Sequence, residues 1–122
     1  MTWTVNLSSE FEAWFDGLDV KSQDAILTDL AVLRDMGPQL GRPHVDTLKG
    51  SRHSNMKELR TAHRGHQYRI AFAFDPKRAA IVIVGGDKTG ADQKRFYRDL
   101  ITNADAIFDH HLAALKKRDR HA

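Results

Sequence analysis

Cysteine is absent from the 122-residue chain, which excludes disulfides, thiolate zinc sites and a cysteine nucleophile. Proline is scarce at 3 residues, and no low-complexity tract or internal repeat interrupts the sequence. No apolar run approaches the roughly 20 residues that a membrane-spanning helix needs. Met1 to Leu7 lacks a basic segment followed by a continuous apolar stretch, so no secretory signal and no membrane partner is expected. A cytoplasmic location fits. No carboxylate pair stands at glycosidase or metal-ligand spacing, and neither a metal nor a cofactor is expected. What remains is ordinary globular material, 41% hydrophobic and 29% charged. The length suits one core, so a single domain over 1–122 is expected.

Charge is distributed unevenly. Between Lys49 and Arg69 stand six cations (Lys49, Arg52, Lys57, Arg60, Arg64 and Arg69) against Glu58 alone. His53, His63 and His66 lie in the same window. The first 35 residues instead carry seven carboxylates, Glu10, Glu12, Asp16, Asp19, Asp24, Asp29 and Asp35, against Lys21 and Arg34. An acidic helical side and a basic sheet side follow, and the basic side attracts polyanions such as nucleic acid.

Periodicity gives the elements. Trp3, Val5 and Leu7 alternate with polar residues, the period of a half-buried strand. Ser8 or Ser9 then caps a helix carrying Phe11, Trp14, Phe15 and Leu18. A second helix begins near Val20, carries Ile26, Leu27, Leu30 and Leu33, and stops at Gly37-Pro38. Glycine and proline make residues 37–55 a long ordered loop. Three strands follow at roughly 55–62, 66–75 and 79–85, with turns at Ala62-His63-Arg64-Gly65 and Asp75-Pro76-Lys77-Arg78. A helix opening at Gly90 to Asp92 carries Phe96, Leu100, Ile101, Ala104, Ile107, Phe108, Leu112 and Leu115, and the basic tail 116–122 is expected to fray. The order β-α-α-β-β-β-α predicts an α+β domain: a small, mostly antiparallel sheet with an N-terminal helical hairpin and a C-terminal helix. The helices are expected on one face, leaving the other free.

Alternation along Tyr68-Arg69-Ile70-Ala71-Phe72-Ala73-Phe74 sends Tyr68, Ile70, Phe72 and Phe74 to the core. Arg69 then projects from the opposite face beside small Ala71 and Ala73, which leave room for something larger. Leu59 shares the core face, so Glu58 and Arg60 join Arg69. Two readings fit this spacing. One is an exposed ion-pair ladder worth about 0.2–1 kcal/mol per pair. The other is a pair of guanidinium forks converging on phosphate. Lys88 follows the flexible Gly85-Gly86 pair at the mouth of a loop. Gly-Gly-Asp-Lys-Thr-Gly lacks the Gly-Lys-Ser/Thr order of a nucleotide-binding loop, which excludes triphosphate binding there. His63 and His66 flank a hairpin tip, where exposure is usual. His110 and His111 cannot both face one point on a helix.

Lys57-Glu58-Leu59-Arg60, Tyr68-Arg69-Ile70 and Gly85-Gly86-Asp87-Lys88-Thr89, in that order, resemble the RelE/ParE superfamily of bacterial toxins, in its phage-derived HigB-like branch. The resemblance runs from the helical hairpin to the last strand. It implies a RelE-like fold and metal-independent cleavage of messenger RNA, commonly on the translating ribosome. A ribose 2′-OH would attack the adjacent phosphate and leave a cyclic phosphate. By the same resemblance Arg69 is the main transition-state stabiliser, and Arg60 and Lys88 occupy positions that are usually basic. Tyr97 matches a residue that stacks on the base, with Phe96 as its competitor in a shifted register. Arg52, His53, Lys57 and Arg64 would contact RNA. Glu58, a histidine of the basic segment and a lysine of lowered pKa all stay open as the general base. The implied partners are a cognate helix-turn-helix antitoxin, messenger RNA with the ribosome, and operator DNA through the antitoxin complex alone. ParE-like members of the superfamily instead inhibit DNA gyrase, which is the alternative function.

Overall fold

The computed structural model describes residues 2–121; Met1 and Ala122, the ends of the expected domain and tail, lie outside them. Strand β1 (Val5–Leu7) is cut short by Ser8, whose hydroxyl accepts the Phe11 N–H at 2.9 Å and caps helix α1 (Ser9–Asp16). Helix α2 (Val20–Met36) stops at Gly37, where φ is 63°. Only glycine suits that site, because a Cβ there would lie 2.2 Å from the Trp3 indole nitrogen. Strand β2 (Val45–Thr47) then forms inside the segment read from sequence as a long loop. Strands β3 (Lys57–His63), β4 (His66–Phe74) and β5 (Ala80–Asp87) lead into α3 (Gln93–His121).

The five strands are ordered β1-β5-β4-β3-β2. All pairings are antiparallel except β1 with β5, which the α1–α2 hairpin and the β-meander separate in sequence. Arg64 and Gly65 make the β3–β4 turn with φ of 48° and 85°, matching the two-residue turns whose twist suits a hairpin.

Both faces of the sheet are packed, which corrects the expectation of one free face. Tyr68, Ile70 and Phe72 meet Phe11, Ile26, Leu30 and Leu33 of the helical hairpin. Ala71 and Ala73, with Ile81 and Ile83, meet Leu100, Ala104 and Phe108 of α3 on the other side. The small side chains of β4 therefore make room for a helix, not for a ligand. Helix α3 continues to His121, and Lys77 pairs with Asp119 at 3.0 Å.

A bulge interrupts β5. The register passes from Ala71↔Val84 to Phe72↔Val82, leaving Ile83 as the extra residue. Beyond it, Gly85 turns toward α1 and Gly86 toward α3. A Cβ on Gly85 would lie 2.4 Å from the Trp14 ring, and one on Gly86 would lie 2.9 Å from Phe96. The glycine pair is thus part of a strand that runs on to Asp87, where the strand was expected to end near residue 85 with the pair flexible. Its missing side chains let both layers close on the sheet.

Candidate functional site

Helix α3 covers the sheet only as far as its first turn. Asp92 ends the preceding loop by accepting the Arg95 N–H at 3.0 Å, and Phe96 rests on Gly86. Tyr97 therefore projects onto the end of the face that holds Glu58, Arg60 and Arg69. Past Tyr97 the sheet is open: Arg60, Ala62, Gln67 and Arg69 line a depression of ≈ 430 Å³ together with Asp29, Pro43 and His44.

Arg60 and Arg69 are direct cross-strand partners. Like charges in that position repel unless an anion stands between them, and Glu58 supplies it from beneath. Only 4% exposed, its carboxylate accepts the Tyr97 hydroxyl at 2.8 Å and lies 3.4 Å from both Arg60 Nη2 and Arg69 Nε. Asp46, opposite Glu58 on β2, takes Arg60 Nη2 at 3.3 Å. Arg69 is 9% exposed, so it is buried where an outward-pointing side chain was expected. Its Nη1 donates to the Tyr68 carbonyl at 3.0 Å and its Nε to the Tyr97 hydroxyl at 3.3 Å. Among the described residues, Arg69 Nη2 meets no protein acceptor, and Arg60 Nε is buried without one. Two carboxylates thus balance two guanidiniums that remain held, forks apart, at the edge of an open depression.

Lys88 adds the surplus positive charge. Its N–H donates to the Gln67 carbonyl at 3.0 Å, and its ammonium lies 5.9 Å from the centre of the Tyr97 ring. Desolvation and the Arg69 charge hold its pKa below the ordinary lysine value, against the pull of Glu58. Burial and the bond to Glu58 push the Tyr97 phenol above its usual range, so Tyr97 stays a neutral donor.

The other sequence candidates lie elsewhere. Lys57 shares the parity of Leu59 and faces the helical hairpin, where its ammonium donates to Thr47 Oγ1 at 3.2 Å. Arg52 and His53 tie the loop before β3 to α3: the Arg52 N–H meets Asp105 at 3.0 Å, its guanidinium meets Asp109, and His53 Nε2 meets Asp109 at 2.7 Å. Arg64 sits at the tip of the hairpin. His63 faces α2 beside Lys21, Asp24 and Thr28, and His66 pairs with Asp87 at 2.6 Å while stacking on Tyr68. None of these histidines reaches the cluster, so of the proposed bases only Glu58 and a lysine of lowered pKa stand in it.

Sequence reading missed Asp46 and His44. Both belong to the segment assigned to a loop, and only β2 pairing brings them beside Arg60, whose N–H donates to the His44 carbonyl at 2.8 Å. The alternation of Val45, Asp46 and Thr47 was the one available signal, too short to stand out. Among the described residues, no three His, Asp or Glu side chains are grouped to hold a metal ion.

The fold is RelE-like. A mutant of the E. coli toxin RelE in the free state matches with a TM-score of 0.58 over 85% of this chain and 95% of that one, at 12% identity. Residues 13–109 match the family described as phage-derived protein Gp49-like (DUF891). Two Mycobacterium tuberculosis proteins that carry toxin names are similar along the sequence. HigB2 is 44% identical over 112 residues, which are 91% of this chain and 55% of that protein. HigB3 is 43% identical over 110 residues, 90% of this chain and 94% of that protein. The chain belongs to the phage-derived Gp49-like family and is homologous to the HigB toxins. It spans about half the length of HigB2 and nearly all of HigB3.

Proposed function

We propose that the protein is the toxin of a type II toxin–antitoxin system and inhibits translation as an endoribonuclease that cleaves messenger RNA on the ribosome. The observation that carries this reading is the pair Arg60 and Arg69, fixed by buried Glu58 at an open depression with Lys88 beside them. The toxin names of HigB2 and HigB3 support it. In the reaction the ribose 2′-oxygen bonds to phosphorus as the bond to the 5′-oxygen breaks, leaving a cyclic phosphate and a 5′-hydroxyl. Negative charge grows on the nonbridging oxygens, where Arg60 and Arg69 act, and on the departing oxygen, where Lys88 acts. Preorganised donors of this kind are worth about 2.7–4 kcal/mol each.

Glu58 serves as the counter-ion that holds the donors, since Tyr97 and both arginines already occupy its oxygens. His44, exposed on the wall of the depression, is a lining residue whose imidazole can accept the 2′-hydroxyl proton. Tyr97 presents its ring at the rim for a base to stack on. A helix-turn-helix antitoxin is the cognate partner, and operator DNA is bound through that complex. Incubation with translating ribosomes tests the reading, because new messenger 5′ ends should appear and vanish with Arg69→Lys. Intact messages combined with blocked gyrase supercoiling would sink it in favour of the gyrase alternative.

A further inference from the structure

Lys57 stands at the wall of a pocket on the face opposite Arg60 and Arg69. Gly37, Pro38, Leu40, Val45, Phe72 and Phe74 supply its apolar lining, and Asn55 its remaining polar side chain. The Asn55 amide is already spent on the Phe74 carbonyl at 2.8 Å. The pocket holds ≈ 180 Å³, and an apolar cavity of about 150 Å³ accepts a benzene ring. Met36, 47% exposed, extends apolar surface from the end of α2 just before the lining begins. Lys57 is a half-buried residue, and a charge set beside such a surface gains from an anion that joins it. Yet among the described residues no carboxylate lies within ion-pair distance of Lys57, whose one hydrogen bond goes to a neutral hydroxyl. Every other cation of the sheet faces, Arg60 and Arg69, has a carboxylate.

We infer that this pocket docks a partner protein through a peptide segment in which a large apolar side chain is followed by an aspartate or glutamate. The apolar group fills the space between Leu40, Val45 and Phe72, and the carboxylate completes Lys57. Charge complementarity selects this occupant over RNA, since a polyanion without an apolar anchor would leave the lining unfilled. The site lies on the far side of the sheet from the depression, so occupation leaves the cleavage face open.

Titration of the 15N-labelled protein with acetyl-Phe-Asp-amide tests the inference. Saturable shifts are expected at Val45, Asn55, Lys57 and Phe72, while Arg60 and Arg69 stay still. Acetyl-Phe-Asn-amide should bind about tenfold more weakly, the worth of one charge-assisted contact. Lys57→Gln should erase that preference and leave ribonuclease activity unchanged. Equal binding of the two peptides, or no saturable shift, overturns the inference. So does a single-stranded oligonucleotide that shifts these same amides, which would return Lys57 to RNA contact. Because cleavage is read separately, a negative peptide result leaves the ribonuclease reading standing.

Discussion

Glu58 carries the site because three donors converge on one buried carboxylate. Glu58→Gln removes the anion and leaves Arg69 uncompensated in a setting where its side chain is 11% exposed. The expected loss is about 3 kcal/mol, the low end for breaking a buried pair, measured by urea unfolding. For the same reason Arg69→Ala should cost both stability and activity, whereas Arg69→Lys keeps the charge and loses the fork. Cleavage by Arg69→Lys is expected to fall about 10²–10³-fold, read in a ribosome assay alongside an unchanged circular dichroism spectrum. Lys88 gives a pH signature. Its lowered pKa means that the ammonium is lost at lower pH than the ordinary 10.5. The alkaline limb of the cleavage profile should therefore begin early, and Lys88→Arg should move it upward. At this scale the sequence was informative about parity: alternation placed Arg69 beside Glu58 and Arg60. It would equally have placed Lys57 with Leu59, on the other face. Depth was not legible, since Tyr97 and its roof over Arg69 come from a helix almost thirty residues away.

Helix α3 decides how much of the sheet face stays open. Ala71 and Ala73 fit a ligand or a helix equally well in one dimension, and only the packing of Leu100, Ala104 and Phe108 distinguishes them. Strand existence was legible from alternation, and β2 was not, because three residues between glycines and prolines give too little pattern. Gly86→Ala presses on Phe96 and through it displaces Tyr97. Overpacking of this kind costs about 1–3 kcal/mol, and cleavage should fall with stability in the same variant. The loop before β3 is tied to α3 through Asp109, whose carboxyl is held below its ordinary value by the His53 hydrogen bond and the Arg52 charge. A depressed carboxyl stabilises the fold above its unfolded pKa, and that contribution is lost as pH falls through the folded value. Asp109→Asn should thus lower Tm at neutral pH, with the difference closing in acid. Equal melting at pH 7 would show that the tie contributes nothing.

Across the whole molecule, charge is sorted by layer. The α1–α2 hairpin carries seven of the 16 acidic residues against two cations, and the cations of the cluster stand on the other side of the sheet. This asymmetry was legible from counting alone, although several of the counted cations prove to be tied to carboxylates. Three cations at the depression imply a slope of about −2 for log affinity against log salt on single-stranded RNA. Fluorescence anisotropy across a salt series would measure it, and a far steeper slope would mean that the basic loop and hairpin tip join the contact. Gly85 and Gly86 bind the two layers in another sense. Each glycine is obligatory only while one aromatic ring lies against it, Trp14 for the first and Phe96 for the second. Among relatives, position 85 should then drift in step with 14, and 86 with 96, as two separate pairs. A dipeptide that reads as one motif would be inherited as two independent bargains, one with each layer.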